Sequence, residues 1–116
     1  MDNIVVGIYS IVGDALCVSA EDGEKVFDRL SDALQEGKKV TISFLNVEML
    51  TSAFLNTAIG KLYGIFDEQK IKASLSVVDI KKEDRMLIKR VTDTAKLYYK
   101  YPQRMEKTIR EILGEE

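Results

Sequence analysis

The chain has 116 residues and a mass of 13.1 kDa, with 46% hydrophobic residues, 31% charged residues and a formal net charge of −2. This is close to the globular average and excludes disordered and fibrous classes, and a folded monomer of this length buries about two-thirds of its unfolded surface. With no histidine and a single cysteine, Cys17, the chain has no disulfide framework, no Cys/His zinc site, and neither Ser-His-Asp nor Cys-His catalysis.

One domain spanning residues 1–116 is expected at this length. Residues 1–80 carry 7 Lys/Arg against 12 Asp/Glu, and residues 81–116 carry 10 against 7. The last third is therefore basic on an acidic chain, which fits a solvated helical face and gives no general attraction to nucleic acid or membrane. The apolar stretch Ile4 to Val12 follows Asp2, lacks a cationic lead and is broken by Gly7 and Ser10, so it does not read as a targeting signal. No apolar run approaches the ~20 residues of a membrane span. A lone thiol suits a reducing compartment. These features predict a soluble cytoplasmic protein with no membrane partner.

Asn3 to Val12 is β-branched and apolar, Gly13-Asp14 reads as a turn, and Ala15 to Ser19 resumes the strand pattern. A hairpin is expected there. Ser19 has the character of a helix N-cap, with Glu21 and Asp22 in the first turn. Val26, Phe27, Leu30, Ala33 and Leu34 recur at helical spacing, with Gly37 placed as terminator. Gly23 weakens that helix locally.

Lys39 to Phe44 alternates Val40, Ile42 and Phe44 with Lys39, Thr41 and Ser43, predicting a strand whose Ile42 is central in the sheet. After a loop over 45–50, Thr51-Ser52 is a cap pair for a helix. Phe54, Leu55, Ala58, Ile59, Leu62, Ile65 and Phe66 give that helix a broad apolar face. Gly60 and Gly64 would let its backbone approach a neighbour closely. A strand over 71–78 and a helix from about Lys81 follow. Pro102 can open a last helix, whose stripe is Met105, Ile109, Ile112 and Leu113. The expected fold class is α/β, a small mixed sheet of about four strands with four helices, in the order β-β-α-β-α-β-α-α.

Phosphate-cradling motifs are absent from the sequence. Asp79, Glu83 and Asp84 form an acidic cluster of the kind that helix starts attract without function. Tyr98, Tyr99 and Tyr101 beside Arg90, Lys96 and Arg104 could stack bases, or close the core while their polar ends reach solvent. No catalytic residue, metal site or cofactor is expected. Thr51 and Ser52 stand out: a hydroxyl at a helix start is either a plain cap or an accessible group for modification and partner contact.

The segment Val40-Thr-Ile-Ser-Phe-Leu-Asn-Val-Glu-Met-Leu-Thr-Ser-Ala-Phe-Leu-Asn-Thr-Ala-Ile-Gly-Lys-Leu62 is similar to the strand-loop-helix core of STAS domains, the fold of bacterial anti-sigma factor antagonists. It resembles still more closely the STAS-like domain family of unknown function, whose members sit near or fused to histidine-kinase-like ATPases. In the antagonists an Asp-Ser-Ser-Gly entry to the helix presents a serine for phosphorylation. Matched by position, Ser52 falls on that serine, Thr51 on the aspartate, Phe54 on the glycine, and Ser43 on an aspartate earlier in the motif. The resemblance implies a non-enzymatic regulatory interaction module with Ser52 as candidate phospho-acceptor. Asn46, Glu48, Met49, Thr51, Ser52 and Phe54 would form its partner surface. The implied partner is a histidine-kinase-like ATPase or serine kinase, and a second copy of the chain is a further candidate. The alternative is a nucleic-acid-associated or phage-type accessory protein using the basic C-terminal helices.

Overall fold

The computed structural model describes residues 3–100. The expected helix after Pro102, with Met105, Ile109, Ile112 and Leu113, lies outside the described residues, as do Tyr101 and Arg104. The elements run β1 (Asn3–Gly7), α1 (Ile8–Val12), β2 (Leu16–Cys17), α2 (Ala20–Gln35), β3 (Lys39–Ser43), β4 (Met49–Leu50), α3 (Ser52–Ala58), a 3-10 turn (Gly60–Gly64), α4 (Glu68–Ser74), β5 (Leu75–Val78) and α5 (Lys82–Lys100). Among the described residues five helices accompany two small sheets in a small α/β domain.

Every strand pairing among the described residues is parallel. The main sheet has the order β1-β3-β5, with Val6 opposite Ile42 and Ile42 opposite Val77, while β2 pairs with β4 in a second, two-stranded sheet. Ile42 is therefore central, as the alternation predicts. The hairpin and the mixed sheet are not formed. Ile8–Val12, β-branched but apolar throughout, forms a short helix closed by Gly13 in the left-handed region (φ 78°). Short apolar runs of this kind do not distinguish strand from helix. That helix turns the chain so that β2 lies parallel to β4, instead of antiparallel to β1.

One face of the main sheet carries the core through Val6, Val40 and Ile42, all about 1% exposed. The opposite face presents Val5 and Val78 to solvent, with the Thr41 and Ser76 hydroxyls 3.2 Å apart between them. Parallel sheets are usually covered on both faces, so this open face is polar where neighbouring strands meet.

Ser19 caps α2 by accepting from the Asp22 amide at 3.1 Å. At the other end Gly37 (φ 76°) takes the left-handed conformation that lets its own N–H and that of Lys38 bond back to Leu34 and Ala33. Gly23 resolves its apparent oddity: a Cβ there would stand 2.6 Å from the Phe54 carbonyl oxygen and 3.0 Å from Thr57 Cβ. Glycine is required because α2 and α3 touch backbone to backbone. Lys61 seals the edge of this contact, lying 4.5 Å from the Phe27 ring centroid and pairing with Glu24.

The long helix expected from Ser52 to Phe66 stops at Ala58. The backbone departs from helical values at Ile59 (φ −120°) and tightens into the 3-10 turn that holds both glycines. Glycine is a poor helix former, and here the backbone of the turn comes close to α5: a Cβ at Gly60 would lie 3.6 Å from Ala95. Leu62 stays fully buried, but Ile65 is left 56% exposed. The strand expected over 71–78 begins only at Leu75, because Ile71–Ser74 complete α4 and bury Ile71.

Candidate functional site

The loop between β3 and α3 is held from both sides. On leaving β3 the chain turns through Asn46, whose φ is 69°, and closes with Val47 N–H donating to the Phe44 carbonyl at 3.0 Å. Asparagine tolerates this region better than other side chains. Val47 is buried and plugs the loop onto the core. The amides of Glu48 and Met49 both donate to the Ala15 carbonyl, at 2.9 and 3.3 Å, and β4 then pairs with β2. From the other side, Lys81 Nζ donates to the Glu48 carbonyl at 3.0 Å.

A second constraint comes from β5. Asp79, just past the strand, also has positive φ (55°) and accepts from Ser43 Oγ at 2.8 Å, while the Ser43 hydroxyl accepts from the Leu45 amide at 3.3 Å. Two non-glycine residues in the left-handed region thus sit in neighbouring loops at the carboxyl ends of β3 and β5. Strained residues of this kind persist where surrounding structure over-determines them. The loop forms a ledge tied down from both sides.

Thr51 and Ser52 have separate fates. Thr51 is the N-cap of α3: its hydroxyl donates to the Val18 carbonyl at 2.6 Å and accepts from the Phe54 amide at 3.2 Å. That oxygen is tied to two elements at once. Ser52 is the first residue of α3 and is exposed, and among the described residues its hydroxyl has no hydrogen-bond partner.

Residues 22–85, more than half of the chain, match the family described as a STAS-like domain of unknown function. The chain belongs to that family. No curated protein and no solved structure matches it.

In this STAS-like domain Asn46, Glu48 and Met49 lie exposed along the ledge, Met49 with 52% of its surface free. Thr51 is half-buried and Ser52 exposed beside them. Phe54 departs from the reading that placed it on the partner surface. It is fully buried, because the first turn of α3 lies against Gly23 and points residues 54, 55 and 58 into the core. No partner can reach its ring in the folded domain.

Ser43, matched by the resemblance to an early motif position, belongs to the ledge, and so do Asp79 and Lys81, which the sequence did not assign to it. Asp79 reads locally as one of a helix-start acidic cluster with Glu83 and Asp84, yet its carboxylate is used by Ser43, 36 residues earlier in the chain. Only the parallel pairing of β3 with β5 makes them neighbours. Cys17, beneath the ledge in β2, is buried. Burial first, then the charges of Asp22 and Asp14, push its thiol up to about 11, so it stays protonated at neutral pH and is a poor nucleophile.

Proposed function

We propose that this STAS-like domain is a non-enzymatic regulatory module that binds a protein partner through the ledge and is switched by phosphorylation of Ser52. The partner is a histidine-kinase-like ATPase or a serine kinase of that kind, acting in the cytoplasm. The reading is carried by the contrast between two adjacent hydroxyls, one locked into a cap and the other free. A kinase acting here would transfer the γ-phosphoryl group of ATP to Ser52 Oγ, with ADP leaving and the hydroxyl proton passing to a base on the kinase.

The phosphoserine adds about −1.5 to −2 charges beside the exposed Met49 and Asn46. The domain tolerates them, since an anion at a helix start is mildly favourable and the group stays in water. A partner packed on Met49 must strip water from the same charge, which is costly without a matching cation. Binding falls while the fold stays.

The test is capture from a native extract by wild type, Ser52→Ala and Ser52→Asp, with melts of all three and mass analysis of the recovered chain. Ser52→Ala is expected to hold the same ATPase as wild type, Ser52→Asp to lose it at an unchanged melting temperature, and the phosphate to be found on Ser52. If Ser52→Asp captures the ATPase as well as wild type does, the switch is refuted. If capture follows a steep salt dependence and brings down nucleic acid, the basic-helix alternative replaces it.

A further inference from the structure

The core-facing side of the main sheet is closed over at β3 and left open at β5. Leu75 and Val77 pair with Val40 and Ile42 and share their side of the sheet. Val40 and Ile42 are buried, whereas Leu75 and Val77 are only half-buried. A cavity of about 320 Å³ stands over them, bounded by β5, α4 and α5. Its apolar lining is Ile42, Ile59, Ile71, Leu75, Val77 and Ile88. Its polar lining is Tyr63, Glu68, Lys72, Thr92 and Lys96. Small-molecule pockets span roughly 300–1,000 Å³ and combine apolar walls with a few placed polar groups.

The polar groups gather at one end. Lys96 Nζ lies 3.4 Å from Glu68 and 5.8 Å from the Tyr63 ring centroid. These three residues also line an outer trough of about 620 Å³, so they form the mouth between the two spaces. Ile88, Thr92 and Lys96 follow one another at four-residue spacing on α5, and that face passes from aliphatic to cationic over about 12 Å. The Thr92 hydroxyl is spent on the Lys89 carbonyl, to which it donates at 3.1 Å. The mouth has a surplus of donors. Lys72 has no ion pair and Tyr63 no hydrogen bond among the described residues, and Glu68 is the one carboxylate among the cavity's described lining. Burial first, then the charges of Glu68 and Asp93, raise the Tyr63 hydroxyl above its ordinary value, so it remains an O–H donor at neutral pH. The outer trough has the opposite balance, with Asp67, Glu68 and Asp93 against Lys96 and Lys100. An anion therefore fits at the mouth and no farther out. We propose that the cavity binds a straight-chain monocarboxylate of medium length. Its alkyl chain lies between β5, α4 and α5, and its carboxylate accepts from Lys96 and Tyr63 at the mouth.

The test is calorimetric titration of the full chain with octanoate, decanoate, decanol and decylamine, each below its micelle-forming concentration. Decanoate is expected to bind one to one. Its affinity should exceed that of octanoate about fifteenfold, or about fourfold for each of two methylenes, equivalent to about 0.8 kcal/mol apiece. Decanol, which lacks the charge, should bind about tenfold more weakly, and decylamine more weakly still. Lys96→Met should erase the preference for decanoate over decanol, and Ile88→Phe, which fills the aliphatic end, should abolish binding of both. Ser52→Ala should bind as wild type does, which separates this site from the ledge. Should Ile88→Phe unfold the domain, amide hydrogen exchange of the wild type decides. Decanoate should then slow exchange across residues 71–77 and 88–96 and leave β1 unchanged. Failure of decanoate to saturate overturns the proposal, as does binding of decylamine as tight as that of decanoate. Protection confined to Val5, Thr41 and Ser76 on the open sheet face also overturns it.

Discussion

Around α2, β3, α3 and the 3-10 turn, Val26, Leu30, Leu34, Phe54, Leu55 and Leu62 have no exposed surface, whereas across α4, β5 and α5 only Ile71, Val91 and Ala95 are buried. The first region is sealed by a backbone contact through Gly23, and the second surrounds a trough. The family match at 22–85 takes in the sealed region from Asp22 onward together with α4 and β5, and ends just inside α5. The difference separates two tasks. The ledge that presents Ser52 rests on the close-packed region, and the larger share of exposed apolar surface lies on the other.

The largest effect should come from the sealed region. Phe54→Ala, deleting a fully buried ring, is expected to cost about 3–5 kcal/mol, while Leu87→Ala on the half-buried face of α5 should cost about 1 kcal/mol. Urea unfolding of both variants measures this, and equal costs would break the comparison. Gly23→Ala comes next, at about 1–3 kcal/mol, since its methyl group would meet the Phe54 carbonyl oxygen at 2.6 Å and overpack the helix contact.

The two hydroxyls then sharpen the comparison at the ledge itself. Thr51→Ala removes the acceptor for the Phe54 amide and the tie to Val18, at about 0.5–2 kcal/mol. Ser52→Ala removes an exposed hydroxyl and should stay within about 0.5 kcal/mol. Paired thermal melts check both. A Ser52 loss as large as that of Thr51 would mean that Ser52 also has a structural role.

Within the sealed region only α2 and β3 were legible. The Ser19 cap, the α2 stripe, its stop at Gly37 and the alternation of β3 are local signals and stand as read. Where the reading failed, the deciding interactions were distant. Ile8–Val12 has a strand-like composition but turns helical to bring β2 beside β4, and a two-residue strand such as Met49–Leu50 has no period to detect. Gly60 looked like helix interior because its reason for being glycine, Ala95, lies on α5. At the site, Asn46 to Ser52 could be found because they are consecutive. Ser43 was matched to the motif, but its partner Asp79 and the contact of Lys81 with the loop could not be found, because sheet register assembles them. Phe54 was misplaced because position in a motif does not say which way a helix faces.

Gly23 also acts at a distance. The Phe54 carbonyl rests on it, and Ser52 stands two residues before Phe54 on the same turn of α3. Any side chain introduced at position 23 forces α2 and α3 apart at this contact, and so alters how α3 and its first residue, Ser52, sit on α2 while leaving every residue of the ledge chemically unaltered. The presentation of the serine is thus adjustable from a buried position that no partner touches. A variant there would change how well an enzyme can address Ser52 without changing what it sees.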